Sequence, residues 1–355
     1  MNILQVINKF MVGGAERLLS DYIPLMAQHH HVEVLTLQEE DSHFVGKLRE
    51  AGIQVHCLHL RHLYSPLAIW SIRRFLKRNP QYDVLHVHLF PSQYWVPLAA
   101  IGLNMKLVWT EHNTFNRRWN IPWLRPIEKR IYALYDKIIC ISPATLEATM
   151  AWTQAQPSDA RYCVIENGVD ISRFRKTDVE KPFPHCLIQV SRFEEQKDQD
   201  TVIRALKLLD EDIHVMFVGV GTRLQQCQQL AEELGVQHRA HFLGIRNDIR
   251  ELLSSADIGV ISSHWEGFGL VAVEAMANGL PVIASDVDGL KQVVEGAGLL
   301  FPAGDVNALA EHVRAVLSDK SLYEELSQKS LGRAEKYDIS TMCNNYIKVY
   351  EDILM

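Results

Sequence analysis

The sequence predicts an α/β protein of two Rossmann-like, doubly wound domains facing across a cleft, and three observations predict it. Short apolar runs alternate with helical patterns from end to end, the runs fall into two successive series, and a polar, Pro-containing stretch separates the series. The first series places strands at 3–7, 32–37, 53–60, 83–89, 106–112, 137–142 and 163–167. The second places them at 185–191, 214–220, 241–245, 258–263, 281–286 and 299–303. Apolar runs joined by helices are what parallel strands covered on both faces require. The break at about 168–184 (GVDISRFRKTDVEKPFP) reads as a linker, giving an N-terminal domain of residues 1–168 and a C-terminal domain of residues 169–337. A last helical pattern with Met342, Tyr346, Val349, Tyr350 and Ile353 is expected to cross back and brace the first domain, so 338–355 is assigned to it.

Composition narrows the class. At 355 residues with 47% apolar content, the chain is sized for about two globular domains. Its six cysteines show no CxxC pairing and read as small core residues of a reduced compartment. The start MNILQVINKF runs directly into a strand, and no stretch is apolar enough to span a bilayer, so a cytoplasmic location is expected.

Charge is distributed unevenly. Residues 1–168 carry 17 Lys and Arg against 14 Asp and Glu, and the remainder 19 against 29. Between Arg61 and Arg130, 11 basic residues meet only Asp83, Glu111 and Glu128. Two stretches there, 67–78 and 116–131, mix cations with aromatics. In the first, Leu67, Trp70 and Phe75 fall near one side of a helix and Arg74, Lys77 and Arg78 near another. Such segments can dock on anionic lipid, so peripheral membrane contact through the basic first domain is expected. No nucleic-acid module is present, and the net charge is −7, so no nucleic-acid partner is expected.

The chemistry-bearing positions cluster at predicted strand ends, where open α/β sheets bind ligands. Glu266 and Glu274 frame EGFGLVAVEA between the strand 258–263 and a helix. Gly267, Phe268, Gly269 and Leu270 would present backbone N–H groups to a diphosphate, with Glu266 and Glu274 suited to sugar hydroxyls and a ribose diol. Arg192 and Lys197, in the loop after the second domain's first strand, can clamp a diphosphate as leaving-group charge develops. Gly244 and Ile245 follow another strand and can offer backbone groups to a nucleobase. In the first domain, Gly13 and Gly14 sit at the first strand-to-helix turn. His112 ends the strand 106–112, placed to bond a sugar hydroxyl or polarise a reacting centre. His86 and His88 share one strand face, yet no third ligand of matching spacing follows, so no metal site is expected.

Taken in order, VGGAE, TEHN, ENGVD, VSRFEEQK, EGFGLVAVEAMANGLPVIAS and GLLFPAGD resemble the retaining nucleotide-sugar glycosyltransferases of family 4, with a B-type fold. The resemblance spans essentially the whole chain and implies specific roles. Arg192 and Lys197 would bind the donor diphosphate with backbone help from Gly14 and from Phe268 to Leu270. Glu266 would contact the donor sugar, Glu274 the ribose, and His112 the sugar near its reacting carbon. The resemblance further implies that no metal or other cofactor is needed and that the leaving diphosphate accepts the acceptor's proton, with retention of configuration. Ser191 and Phe193 depart from the Gly and Leu frequent beside the Arg. Asp198 follows Lys197 where a small residue is common, and is expected to weaken that cation's pull on phosphate.

The resulting expectation is transfer of a sugar from a nucleoside-diphosphate sugar to a glycan or lipid-linked glycan, in cell-surface polysaccharide assembly of the O-antigen or capsule type. The alternatives are a sugar-nucleotide epimerase of the same fold and a non-catalytic nucleotide-sugar-binding subunit.

Overall fold

The computed structural model describes residues 1–11, 13–38 and 42–355; Val12 of the VGGAE segment lies outside the described residues. The chain divides into two compact units, Met1–Gly168 with Ile339–Met355, and Val169–Asp338. Each is built on one sheet whose strands are all parallel.

In the first unit the strands are β1 (Asn2–Ile7), β2 (His31–Thr36), β3 (Val55–Cys57), β4 (Val84–His88), β5 (Lys106–Glu111), β6 (Lys137–Cys140) and β7 (Tyr162–Val164). They lie in the order β3-β2-β1-β4-β5-β6-β7. In the second, β8 (His185–Val190), β9 (Ile213–Val218), β10 (Ala240–Phe242), β11 (Ile258–Ile261), β12 (Val282–Ser285) and β13 (Leu299–Phe301) lie in the order β10-β9-β8-β11-β12-β13. Both orders reverse direction beside the first strand of the unit, the doubly wound pattern expected from the alternation.

All thirteen apolar runs form strands, but most stop short of their expected carboxyl ends. The run 53–60 keeps only Val55–Cys57, and 241–245 yields Ala240–Phe242. The chain leaves the ladder where left-handed backbone begins, at His59 (φ 49°) and Gly244 (φ 66°).

The helix Ile339–Leu354 belongs to the first unit. It buries Met342, Cys343, Tyr346 and Tyr350, and the Tyr346 ring centroid lies 5.4 Å from that of Tyr22 on the helix Gly14–Met26. The stretch 168–184 is not a free linker. Asp170 caps a short helix, Ile171–Phe174, by accepting from Arg173 N at 3.2 Å. Asn278 Nδ2 donates to Phe174 O at 2.9 Å, Thr177 N donates to Ser254 Oγ at 3.0 Å, and Lys181 pairs with Asp257. These bonds tie the segment to the second unit. Sequence periodicity misses it because side chain-to-backbone bonds, not an apolar stripe, hold it.

A second correction concerns the helix Leu67–Arg78. Its core face is Ala68, Ile72 and Leu76, whereas Leu67 and Trp70 are 76% and 64% exposed. Trp70 shares the outer face with Arg74, whose guanidinium lies 5.4 Å from the indole centroid. Leu67 and Trp70 thus face outward, while Phe75 of the same expected stripe packs inward, its ring stacked 6.5 Å from that of Tyr82. All six cysteines are unpaired, and four of them (Cys140, Cys186, Cys227 and Cys343) are buried. Among the described residues, no helix is long and apolar enough to cross a membrane.

Candidate functional site

Because every strand of the second unit runs the same way, the loops after β8, β9, β10 and β11 emerge at one sheet edge. The segment after β8 carries Arg192 and Lys197. Arg192 is exposed. Lys197 is held by its backbone, since Gln189 Nε2 and Ser262 Oγ each donate to its carbonyl at 2.9 Å. Its ammonium pairs with the Glu266 carboxylate, which also accepts from Ser263 Oγ at 3.3 Å. The structure therefore joins two sequence-predicted residues 69 positions apart.

The departures beside this loop have structural explanations. Phe193 is 1% exposed and packs between Phe217 and Phe242, at centroid distances of 6.2 and 5.9 Å. Ser191 Oγ accepts from Gln199 Nε2 at 2.9 Å. Asp198 does not confront Lys197 as expected. It adopts φ 45°, ψ 52° and caps the helix Gln199–Leu208, accepting from Thr201 Oγ1 at 2.6 Å and lying 3.6 Å from His264. Burial raises its carboxyl pKa, and the Thr201 bond opposes that rise.

After β11 the chain passes through Glu266 and Gly267 to the helix Leu270–Ala277. Gly269 caps this helix in the left-handed region (φ 86°), where a Cβ would also meet Leu290 at 2.5 Å. The amides of Leu270 and Val271 open this helix without intrahelical acceptors, whereas Ala272 N already donates to Gly269 O at 2.9 Å. Phe268 contributes only its backbone to that edge, because its side chain is buried edge-on to Tyr337 at 5.2 Å. Glu274 is 2% exposed, so it is not an ordinary solvated glutamate of a second helical turn. Gly244 closes the neighbouring loop by accepting from Gly219 N at 2.8 Å, and Ile245 beside it is 69% exposed.

Several supports escaped sequence reading. Gly289, in the loop after β12, has φ 85°, and a Cβ there would sit 2.4 Å from Glu266 O and 2.8 Å from Gly267 C. It is the floor under the Glu266 loop. Its signal was a glycine following a predicted strand at the same sheet edge. Gly219 plays the same part beneath Ser191, whose carbonyl a Cβ would meet at 2.1 Å. Ser262 and Ser263 were visible as polar residues ending an apolar run, yet their partners lie far away in sequence.

In the first unit, Gly13 and Gly14 follow β1 and open the helix Gly14–Met26. Gly13 is extended (φ −158°, ψ 163°), and a Cβ would meet only the end of the Glu16 side chain. A tight turn is therefore not what requires glycine at 13. His112 directly follows β5 and is partly buried. Burial pushes its pKa down to about 4, so the ring is neutral at physiological pH. Its Nε2 lies 3.1 Å from His88 Nδ1, and His88 Nε2 lies 2.9 Å from Gln5 Oε1. His86 contacts Tyr350 Oη through Nδ1 at 2.5 Å and Thr110 Oγ1 through Nε2 at 2.6 Å. All four ring nitrogens of His86 and His88 thus have protein partners.

Comparison with known proteins bears on the fold and the family. The family model "Glycosyltransferase Family 4" matches residues 12–173, and "Glycosyl transferases group 1" matches 170–333. An uncharacterized glycosyltransferase of Methanocaldococcus jannaschii is 33% identical over 303 residues, covering 76% of this chain and 75% of the relative. The lipopolysaccharide core biosynthesis glycosyltransferase LpsE of Rhizobium meliloti is 27% identical, with 89% of each chain covered. The solved structure of Anabaena HepE in complex with UDP and glucose superposes with a TM-score of 0.87 at 22% identity, over 99% of this chain and 100% of that one. With two Rossmann-like parallel-sheet units and a family match over each, the chain belongs to the glycosyltransferases of the B-type fold.

Proposed function

We propose that this glycosyltransferase moves a sugar from a nucleoside-diphosphate sugar to a glycan or lipid-linked glycan with retention of anomeric configuration and without a metal. The observation that carries the reading is the Lys197–Glu266 pair at the sheet edge where the helix Leu270–Ala277 begins. A cation, a carboxylate and the positive end of a helix within one loop cluster match a donor's diphosphate and sugar hydroxyls. Arg192, Gly244, Ile245 and Gly267 to Leu270 occupy loops of the same edge, and buried Glu274 stands one turn inside the helix. In the first unit, His112 and Gly13 sit at the carboxyl ends of strands, the part of a parallel α/β sheet that binds ligands. Anabaena HepE binds UDP and glucose, and the R. meliloti relative acts in lipopolysaccharide core biosynthesis, which supports a nucleotide-sugar donor and a cell-surface glycan product.

Residues 1–168 and 338–355 would receive the acceptor, and 169–337 the donor. Exposed Tyr64, Leu67, Trp70 and Trp123 lie among Arg61, Arg74, Lys77, Arg78 and Arg130 in the first unit. This combination supports peripheral binding at the anionic inner face of a cytoplasmic membrane.

The test incubates the chain with a panel of nucleotide sugars and membrane-extracted glycolipid. Nucleoside diphosphate should appear only with both substrates present, EDTA should leave the rate unchanged, and NMR of the product should show the donor's anomeric configuration. Inversion, or donor epimerisation without acceptor, would refute the reading.

A further inference from the structure

The hydrogen-bond chain behind His112 fixes where its proton resides. It starts at Gln5, buried on β1. Gln5 Nε2 lies 3.8 Å from Met26 Sδ and 3.4 Å from Tyr350 Oη. A thioether accepts hydrogen bonds and cannot donate, so the amide nitrogen belongs on that side and Oε1 on the other. Oε1 then accepts from Tyr22 Oη at 3.0 Å and from His88 Nε2 at 2.9 Å. Because Oε1 has no proton to give, His88 Nε2 must carry one.

Burial holds His88 neutral, its pKa well below the ordinary histidine value, so one nitrogen is protonated and the other is a lone pair. With the proton on Nε2, Nδ1 is the acceptor, and the 3.1 Å contact to His112 requires that His112 Nε2 donate. His112 is neutral as well. Its Nδ1, the nitrogen that His88 does not hold, is left as a lone pair. Tyr350 supports the chain from behind: its Oη accepts a hydrogen bond from Gln5 Nε2 and donates to His86 Nδ1, and His86 Nε2 donates to Thr110 Oγ1.

We propose that His88 is a positioning residue that locks His112 as the Nε2–H tautomer, so that His112 meets the substrate as a hydrogen-bond acceptor at Nδ1. An acceptor of this kind fits a sugar hydroxyl and repels a phosphate oxygen, which has no proton to share. His112 is thereby assigned to the sugar and not to the diphosphate. The inference rests on the proposed reading of His112 as a donor-site residue, but the tautomer is a property of the protein alone.

The experiment labels histidine with 15N in the full chain and records long-range 1H–15N correlations near pH 7.5, with His112 assigned from the signal missing in His112→Asn. The proposal requires a protonated Nε2 and a bare Nδ1 in the wild type. In His88→Asn, Oδ1 replaces the lost Nδ1 as acceptor, so the His112 tautomer persists and sugar transfer stays within about threefold. In His88→Leu no acceptor remains, so the Nδ1–H form appears and kcat falls about tenfold or more, with UDP affinity changed less than twofold. A wild-type Nδ1–H tautomer, or an unchanged His112 pattern in His88→Leu, overturns the proposal; should the leucine variant fail to fold, the wild-type spectrum still decides. Addition of UDP-glucose separately tests the donor reading: a shift of His112 Nδ1 supports it, and binding without that shift overturns the assignment of His112 to the sugar while the tautomer result stands.

Discussion

Lys197 and Glu266, on the loops after β8 and β11, form an ion pair that Ser263 joins at 3.3 Å. Two charges that, in the proposed reading, would each serve a bound donor neutralise one another here. Ser262 and Gln189 hold the lysine backbone so that only its side chain needs to swing. In the proposed reading, donor binding would exchange one partner of Lys197 for phosphate oxygens and release Glu266 toward the sugar.

That exchange sets the first expectation. Lys197→Ala removes the cation that is proposed to stabilise the leaving diphosphate, and Glu266→Gln keeps the shape while removing the charge. Each is expected to lower kcat about 100-fold or more, the scale of losing one preorganised electrostatic group. Nucleoside diphosphate release by purified variants measures it, and wild-type turnover in either would remove these residues from the mechanism.

Gly289 provides a structural test. Its φ of 85° and the 2.4 Å approach of a Cβ to Glu266 O leave no room for alanine. Gly289→Ala is expected to destabilise the second unit by about 2 kcal/mol and to displace the Glu266 loop. Gly304→Ala, at φ 81° with open space around it, bears only the backbone cost. Urea unfolding and turnover of the two variants should therefore diverge, with activity lost in the first and kept in the second.

Acid should weaken the first unit. His86 and His88 are held neutral well below the ordinary histidine pKa by burial, and His112 is pushed down to about 4. The unfolded chain binds these protons below pH ~6.5 while the folded chain does not, so stability is full above that pH and declines toward pH 4. Each such histidine contributes a slope of up to about 1.4 kcal/mol per pH unit. Glu111, whose carboxyl burial raises, works in the opposite direction. Urea midpoints at pH 7.5 and 5.5 should fall, and replacing His86 with Phe should flatten that fall.

Membrane binding is expected to depend on the outward face of the helix Leu67–Arg78. Trp70→Ser with Leu67→Ser should reduce flotation with vesicles rich in phosphatidylglycerol about tenfold, without effect on UDP binding. Equal binding of wild type to neutral phosphatidylcholine vesicles would contradict an electrostatic contribution.

The sheets were legible because parallel strands buried on both faces leave mostly apolar runs, as at Ile138–Ile141 and Val282–Ala284. The pairing of the loops after β8 and β11 was legible only as charges and glycines at strand ends, which the structure brings together as Lys197 with Glu266. What the sequence concealed depends on long-range contacts. Leu67 and Trp70 face outward because Ala68, Ile72 and Leu76 form the core face with Ile69 and Phe75 beside it, and periodicity cannot rank two competing apolar stripes. Gly289 beneath Glu266 and Gln5 behind His88 act across 23 and 83 positions, which no local pattern encodes. Asp198 looked like a rival for Lys197 until its left-handed backbone turned it into a helix cap.

The most direct measurement of the central claim is thermal unfolding of wild type and Lys197→Ala with and without UDP and GDP. At about 100 times the dissociation constant, a bound nucleoside diphosphate adds roughly 2.7 kcal/mol of stability. A saturable rise in Tm for the wild type with one of the two, largely lost in Lys197→Ala, is the predicted result. An equal rise in both proteins, or none with either nucleotide, would contradict a donor site built around Lys197 and Glu266.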